Sequence, residues 1–540
     1  MQRFRFATLL AGWLILSLSL LAQQPAGPFR IAGTVVSTVT GSPLGRARVT
    51  IFDTKNREKT RWMITAEDGR FTFDQLPPGK YALQGAKRGF VQSFYEEHDE
   101  YSTAIVTGVG VDTENLVLRL PPDAELSGKV LDEAGEAVRD ASVWLYREDH
   151  HGGVGRIVPA RSVSTDDLGA YDLAPLEAGT YFLSAKAQPW YAVHPVSAGS
   201  EGTNPQPTSV DPSLDVAYAN TYYADTTDPD EATPIPIRGG DHVQIELHLS
   251  PVPALHLIFH SPENANRLLI PNLSTSVFGN QQTVLTQGAF EVSPGVYELN
   301  GIPAGKYSVH LGASRADSSN EVLVTQNGEE IDVPTSEASP VTATVQVVGE
   351  SSLPPRLTIY VRNSKMRIVA FKEVDEKGVV ELPDLAPGKY ELLAATSTKR
   401  FSVIGISSGE NSSSGHFLTV GASSPQRITV TLSEGAMNVE GIVKHSGKPA
   451  ARAMVVLVPK DPENNHDRFR RDQSDLDGSF SLADVIPGSY TVCAIDNGWD
   501  LDWAKPAVIA HYCRDGKRIS VESRQGGTFH LSDSVELQSK

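Results

Sequence analysis

Few side chains in this 540-residue chain combine a reactive type with a spacing that would let them act together. His260 and Glu263 stand three residues apart, a spacing at which an imidazole and a carboxylate can bind one zinc ion. A catalytic zinc site also needs a third ligand and an open coordination position, and this pair ends a predicted β-strand. His150 and His151 lie beside a glycine-rich loop and are predicted to form a solvated turn that could bind metal only adventitiously. The sequence therefore predicts no catalytic residue, no metal site and no cofactor, and we expect a protein that is not an enzyme.

One acidic pattern, Asp475-x-Asp477-Gly478, is similar to the start of a calcium-binding loop. It lacks the bidentate glutamate that such a loop carries further along, whereas Asp before Gly is typical of a tight hairpin. We therefore interpret this pattern as a turn between two strands.

Aromatic residues gather in two stretches with the character of insertions, residues 187–241 and 496–516. Exposed rings beside carboxylates and amides can stack on the faces of sugars. Rings in a long loop can also anchor that loop against its own domain. The sequence leaves both alternatives open. The aromatic residues that would contact a ligand are Trp190, Tyr191, Tyr222, Tyr223, Trp499 and Trp503.

Cys493 and Cys513 are the two cysteines of the chain. In an oxidising compartment, such a pair is expected to form a disulfide rather than a metal site or a nucleophile. The bond would fasten the second aromatic stretch to the outside of a predicted strand, and a loop of this size contributes about 3 kcal/mol of stability.

The N-terminus has the features of a secretory signal peptide. Arg3 and Arg5 precede an apolar run, and Ala22 provides a small residue at its end, so residues 1–22 are predicted to direct export. Whether this segment is cleaved or remains as an anchor is left open. The mature chain contains no second apolar stretch of about 18 residues, so we expect it not to span a membrane. The formal charge of −18 would repel a polyanion, which argues against nucleic acid as a partner.

The elements that must position these residues come from a phrase that recurs five times without a gap. The first copy is DGRFTFDQLPPGKY, and all copies share a glycine, two apolar residues in alternation, an aliphatic residue, a second glycine and a tyrosine. Alternation of this kind predicts a strand with one buried face, followed by a turn and a second strand. The first glycines are Gly69, Gly169, Gly295, Gly378 and Gly478, and the closing tyrosines are Tyr81, Tyr181, Tyr307, Tyr390 and Tyr490.

A tyrosine just after such a turn is typical of the tyrosine corner of Greek-key sandwiches, so these residues are interpreted as structural. With a looser strand–turn–strand pattern upstream of each copy, the sequence predicts an all-β fold: a tandem array of about five Ig-like Greek-key β-sandwiches after the signal peptide. Short links between them predict a semi-rigid rod or a curved chain. The predicted boundaries are 29–121, 122–251 with the insert 187–241, 252–337, 338–433 and 434–540 with the disulfide-fastened excursion.

The pattern G-x-V…G-x-P-L-x-x-A-x-V…D-G-x-F-x-F-x-x-L-P-P-G-x-Y-x-L resembles the carboxypeptidase regulatory-like domain, a prealbumin-like sandwich similar to the B-type repeats of collagen adhesins. The resemblance implies a secreted, periplasmic or cell-surface bacterial protein in which these domains do no chemistry. We therefore expect a non-catalytic exported scaffold, or an adhesin-like protein that binds an envelope or extracellular protein. The alternative is a carbohydrate-binding protein that contacts a polysaccharide through the aromatic residues of the inserts.

Overall fold

The computed structural model of the chain is built almost entirely of β-strands, with one α-helix and three 3-10 helices in the part that it describes. No helix in that part has the length and apolar character needed to cross a membrane. Residues 1–22, the predicted signal peptide, lie outside it. The described residues are 27–108, 110–195, 211–260, 271–284, 289–311, 320–326, 328–332, 339–348, 353–363, 368–385, 388–397, 400–408, 411–413, 415–421, 426–434, 437–463, 465–522 and 527–540.

The strands fall into five consecutive groups, modules 1 to 5, and each module encloses its own hydrophobic core. Module 1 contains β1 (Phe29–Ser37), β2 (Arg48–Asp53), β3 (Asn56–Ile64), β4 (Arg70–Leu76), β5 (Gly79–Ala86), β6 (Ser93–Phe94), β7 (Ile105–Thr107) and β8 (Leu116–Leu120). Module 2 contains β9 (Ala124–Leu131), β10 (Ser142–Asp149), β11 (Arg156–Ser164), β12 (Ala170–Leu176), β13 (Gly179–Lys186), β14 (Val216–Tyr218), β15 (Thr221–Tyr222), β16 (Ile235–Ile237), β17 (His242–His248) and β18 (Pro251–Pro253).

Module 3 contains β19 (Leu255–His260), β20 (Pro271–Val277), β21 (Asn280–Thr283), β22 (Ala289–Ser293), β23 (Val296–Ile302), β24 (Gly305–Leu311), β25 (Asn320–Val324) and β26 (Glu329–Asp332). Module 4 contains β27 (Ser339–Val347), β28 (Thr358–Arg362), β29 (Ile368–Glu373), β30 (Val379–Leu385), β31 (Gly388–Ala395), β32 (Arg400–Ser408), β33 (Asn411–Ser413), β34 (Phe417–Val420) and β35 (Gln426–Glu434). Module 5 contains β36 (Met437–His445), β37 (Lys448–Pro449), β38 (Met454–Pro459), β39 (Arg470–Gln473), β40 (Ser479–Val485), β41 (Gly488–Ile495), α1 (Pro506–Tyr512), β42 (Lys517–Val521), β43 (Thr528–His530) and β44 (Val535–Gln538).

All five modules share one strand arrangement. The first strand pairs antiparallel with the first strand of the repeated phrase and parallel with a strand at the end of the module, as β1 does with β4 and β8. The second strand pairs antiparallel with the tyrosine strand of the phrase, as β2 does with β5. The same pairings recur in the other four modules. The predicted all-β fold of Ig-like, prealbumin-like sandwiches is confirmed.

The repeated phrase forms the turns that the sequence predicts. Gly69 adopts a φ of +71°, and a Cβ at this position would lie 2.7 Å from the carbonyl oxygen of Val35, so both conformation and space favour glycine. The hydroxyl of Tyr81 donates to the carbonyl of Pro77, four residues before it, at 3.0 Å. Three later tyrosines of the phrase donate to the carbonyl four residues before them, which confirms the tyrosine corner: Tyr181, Tyr307 and Tyr490.

The chain closes on itself, because module 5 contacts both module 1 and module 2. Leu476 of module 5 packs against the core of module 1. The backbone N–H of Ala504 in module 5 donates to the carbonyl of Gly153 in module 2, at 2.9 Å. Of the rod and the curved chain that the short links predict, the structure shows a curved chain in which the first and last modules meet.

Candidate functional site

Tyr222, predicted as a possible ligand contact, is buried where module 2 meets module 3. Only 2% of this residue is exposed, and its ring stands edge-on to that of Phe278, with centroids 5.7 Å apart. Phe278 also contacts the rings of Tyr146 and Phe182. Tyr223 is partly buried against the core of module 2. Tyr222 is therefore unavailable as an exposed stacking surface, because it helps to hold the insert between two modules, whereas Tyr223 anchors the insert to module 2.

Trp499 and Trp503 are also buried, with 8% and 6% of each residue exposed. Trp499 stacks on His98 and Tyr101 of module 1, with centroids 5.2 Å and 5.8 Å away. Trp503 meets Phe469 edge-on within module 5. The large rings of the second insert thus pack between and within modules.

Trp190 remains open to solvent, with 84% of the residue exposed. Its ring stands edge-on to that of Tyr191, with centroids 5.8 Å apart. The hydroxyl of Tyr191 donates to the carboxylate of Glu133, which also accepts a 2.8 Å hydrogen bond from Tyr218. A fixed tyrosine therefore supports one exposed tryptophan on the surface of module 2.

Arg471 lies at the centre of a contact among modules 1, 2 and 5, the three-module junction (residues 96–104, 149–153, 471–475 and 499–504). Its side chain is 3% exposed, and its Nη1 lies 3.1 Å from Oδ2 of Asp99 in module 1. Its Nη2 donates to the carbonyl of His151 in module 2, at 3.3 Å. The guanidinium faces three rings at 5.3, 5.7 and 4.7 Å, those of Tyr101, Trp499 and Trp503. The guanidinium of Arg471 thus contacts groups from all three modules.

Asp475 adds a second polar contact at this junction. Its backbone carbonyl accepts a hydrogen bond from the N–H of Gly478 at 2.8 Å, which confirms the predicted turn. Its carboxylate reaches module 1, where it lies 2.5 Å from the Nζ of Lys80 and accepts from the N–H of Ala104 at 2.9 Å. Burial raises the pKa of Asp475, and the nearby Lys80 only partly offsets that effect. Burial also raises the pKa of neighbouring Asp472 to about 7.

His150 and His151 belong to the same junction, and the turn at these residues is solvated only in part. Modules 1 and 5 cover the loop, and each histidine side chain is 35% exposed. Nδ1 of His150 lies 3.0 Å from Oδ1 of Asp502 in module 5. Asp99, Glu100 and His151 each bring one potential ligand atom into a group within 4.8 Å. Sequence spacing could not reveal this group, because its carboxylates and its imidazole come from different modules.

His260, the first residue of the predicted zinc spacing, ends β19 and lies 3.7 Å from Glu330 on the neighbouring strand β26. Its partner in that spacing, Glu263, lies outside the described residues. In the structure, the side chain of His260 is half-exposed and makes this cross-strand contact.

The predicted disulfide between Cys493 and Cys513 is present. It joins β41 to the residue that follows α1, and both cysteines are buried, at 1% and 8% exposed. The bond closes the segment that carries Trp499 and Trp503, and so holds the second insert against module 5.

A cavity of about 610 Å³ lies between modules 2 and 3, where the first insert bridges them. Its walls include side chains from both modules: Lys186, His194, Tyr218, Asn220, Thr275 and Lys306. The Nζ of Lys186 donates to the carbonyl of Thr283 in module 3. Burial lowers the pKa of Lys186 to about 8. Part of the first insert thus lines a cleft at a module boundary.

A chain of imidazoles and carboxylates runs beside this cavity. Nδ1 of His194 lies 2.8 Å from Oδ1 of Asp215, whose Oδ2 lies 2.9 Å from Nε2 of His256. Nδ1 of His256 lies 2.8 Å from Oε1 of Glu298, a side chain only 1% exposed. Burial lowers the pKa of His256, but hydrogen bonds to Glu298 and Asp215 outweigh it and leave the pKa raised.

This chain crosses the boundary, since His194 and Asp215 belong to module 2 whereas His256 and Glu298 belong to module 3. Both ring nitrogens of His256 pair with carboxylates, which hold the imidazole in place. This ring therefore has no nitrogen left to accept a proton from a substrate. Gly301 closes the network on the other side, because a Cβ there would lie 2.7 Å from Nε2 of His194. The arrangement is suited to holding two modules together.

Comparisons with known proteins bear on the first module. Residues 30–112 match the family model of the carboxypeptidase regulatory-like domain, the family that the sequence pattern resembles. A search of curated proteins found none that matches the sequence.

Among solved structures, the chain is similar to the Bacillus anthracis TIE protein, with 13% identity over 75% of this chain and 74% of that one, and a TM-score of 0.18. It is similar to a streptococcal ancillary pilin, with 12% identity over 57% of this chain and 100% of that one, and a TM-score of 0.19. It is also similar to two B repeat units of the collagen binding protein of Staphylococcus aureus, with 11% identity over 75% and 100% of the two chains, and a TM-score of 0.13.

Proposed function

We propose that this chain is a non-catalytic, exported scaffold of the bacterial envelope or cell surface that holds or binds another extracellular protein. It is divided into five sandwiches at the boundaries predicted from the sequence, and residues 1–22 direct its export. The observation that supports this proposal best is the use of the two inserts. The segments in which the modules differ most, where a binding or catalytic site would be expected, use most of their large rings in contacts within and between modules in the residues that the structure describes.

The side chains best suited to chemistry are occupied in the same way. Arg471 is enclosed by three rings and a carboxylate, and His256 is held between two carboxylates. Groups used so fully in structural contacts are poorly placed to take part in turnover. In this chain, such residues hold the modules in fixed relative positions. A chain of this kind is suited to presenting surfaces at defined separations.

The proposal is tested in intact cells that express the full chain. A photo-reactive residue is placed at Trp62, an exposed position of module 1, and at Trp190 of module 2. We expect a membrane-impermeant reagent to label the chain, and we expect irradiation to join it to an envelope protein. Retention in the cytoplasm would refute the exported role. Hydrolase or transferase activity of the purified chain, lost on substitution of a single residue, would refute the non-catalytic assignment.

Carbohydrate binding is a second candidate, and the exposure of Trp190 is the observation that favours it. An exposed indole beside a fixed tyrosine can stack on a sugar ring. If this is the function, the purified chain binds a component of a glycan array, and Trp190→Ala abolishes binding whereas Trp62→Ala, at another exposed tryptophan, preserves it. Equal binding by both variants, or no binding by the unmodified chain, would exclude the proposed site.

A further inference from the structure

We propose that Asp99, Glu100 and His151 bind one divalent cation of the zinc class, and that this ion links module 1 to module 2. The two carboxylates belong to module 1 and the imidazole to module 2. A site of this kind is a structural clamp, and the inference does not rest on the proposed role in the envelope.

The distances between the three side chains fit shared coordination better than direct hydrogen bonding. Nε2 of His151 lies 3.6 Å from Oδ1 of Asp99 and 3.4 Å from Oε2 of Glu100. A hydrogen bond from an imidazole N–H would bring the two atoms to about 2.7–3.2 Å. Two ligands held about 2.0–2.2 Å from one ion are separated by roughly 3–3.5 Å, close to the distances found here.

The environment of His151 prepares Nε2 for a metal. Its Nδ1 is hydrogen-bonded to the carboxylate of Asp149, a side chain that is only 7% exposed. A proton on Nδ1 donated to that carboxylate leaves the lone pair of Nε2 directed at Asp99 and Glu100. This carboxylate–histidine arrangement accompanies metal-binding histidines in general, because it fixes both the ring orientation and the tautomer.

The carboxylates are held in a matching orientation by Arg471. Its guanidinium lies 3.1 Å from Oδ2 of Asp99 and 3.8 Å from Oε1 of Glu100, so it faces the oxygens that do not point at His151. Three carboxylates, counting Asp149, therefore face two guanidinium groups, Arg471 and the more exposed Arg156, 3.5 Å from Asp149. The cluster has an excess of negative charge that a divalent cation would offset.

The ligand types select among cations. Two carboxylate oxygens with one imidazole suit zinc and neighbouring transition metals, whereas magnesium and calcium prefer sites made of oxygen alone. Three protein ligands leave at least one coordination position for water. We assign this ion a structural role because its ligands come from two modules.

The test uses the full, tag-free chain after treatment with a chelator. Calorimetric titration with Zn²⁺ is expected to show one ion per chain, with Ca²⁺ and Mg²⁺ at millimolar concentration failing to compete. Glu100→Gln, at a side chain 56% exposed, removes a ligand with little risk to folding and should weaken binding by about 10–100-fold. His151→Ala should weaken it further, and Asp149→Asn should weaken it by about 10–100-fold through the orientation of His151.

His150→Ala is the matched control. It removes the neighbouring imidazole, which pairs with Asp502 in the same junction, and leaves all three ligands in place. We expect this variant to bind Zn²⁺ within about threefold of the unmodified chain. Absence of a stoichiometric site in the unmodified chain would overturn the proposal, as would unchanged affinity in both Glu100→Gln and His151→Ala. Equal losses in His150→Ala and Glu100→Gln would overturn it too, since they would show general disturbance of the junction.

Discussion

Replacing Arg471 by alanine is expected to weaken the interaction free energy between module 5 and modules 1 and 2 by about 4.5 kcal/mol. Removing one partner of a buried ion pair costs about 3–5 kcal/mol, and we take the lower end because the side chain of Asp99 is 21% exposed and water can reach it. Three ring contacts, at 4.7 to 5.7 Å, add roughly 0.5 kcal/mol each, the value for weaker cation–π pairs. Arg471→Lys keeps the charge and loses the planar stacking, so we expect an intermediate loss.

Arg452 provides the control, because it also links module 5 to module 1 through an ion pair. Its Nη1 lies 3.2 Å from Oε2 of Glu96, but its side chain is 57% exposed, and exposed ion pairs contribute about 0–1 kcal/mol. Tryptophan fluorescence during guanidinium chloride unfolding reports on the junction, since Trp499 and Trp503 lie in it. Amide exchange of residues 98–101 reports on the opposite side. If Arg471→Ala and Arg452→Ala differ by less than about 1 kcal/mol, the burial argument is refuted.

Three further predictions concern other contacts. Because the pKa of His256 is raised in the folded protein, the stability from its ion pairs is fully present below its ordinary pKa of about 6.5. That stability is lost as pH rises through the raised pKa. Amide exchange at the module 2–3 boundary, corrected for intrinsic rates, should therefore be faster at pH 8 than at pH 6, and Asp215→Asn should remove most of that difference. Replacing both cysteines by alanine should lower the stability of module 5 by about 3 kcal/mol, since the bond closes a loop of 20 residues; an unchanged denaturation midpoint would contradict this. Tyr490→Phe removes the 2.6 Å hydrogen bond to the carbonyl of Ile486 and should cost about 1 kcal/mol by the same measurement, with Tyr512→Phe, at a partly buried ring of the same module, as the reference.

The sequence predicts the sandwich modules well because the residues that define each turn and strand lie close together in the chain. A glycine at a positive φ, an alternating strand and a tyrosine bonded to the carbonyl four residues earlier are all contained within about a dozen residues. The phrase repeats five times, so each position could be assigned a role by comparing copies. Tyr81 and Gly69 have the roles in the structure that this comparison assigns to them.

The junctions could not be predicted in the same way, because their partners are far apart in the chain. Arg471 and Asp99 are separated by most of the sequence, and neither has a local pattern that marks it as part of a contact between modules. The aromatic inserts did carry a signal, since a long loop with large rings such as Tyr222 and Trp499 is expected either to be anchored by them or to bind a ligand through them. The sequence left sugar binding and anchoring as alternatives, and only the structure shows these two rings buried between modules.

One position in the turn before the repeated phrase, three residues before its first glycine, shows how the arrangement of modules is specified. In modules 2 and 4, Asp166 and Asp375 each accept hydrogen bonds from two backbone N–H groups of their own turn, at 2.7 to 2.9 Å. Asp475 occupies the same position in module 5, yet its carboxylate contacts Lys80 and the N–H of Ala104 in module 1. Its turn is still formed, so the aspartate is not required there for the fold of the module. This position therefore has two uses: an aspartate that stabilises a turn in two modules connects two modules in a third. The modules fold alike, so the fold that they share cannot fix their relative positions. Those positions can be fixed only by the inserts and by residues such as Asp475, which contact another module where their counterparts contact their own turn.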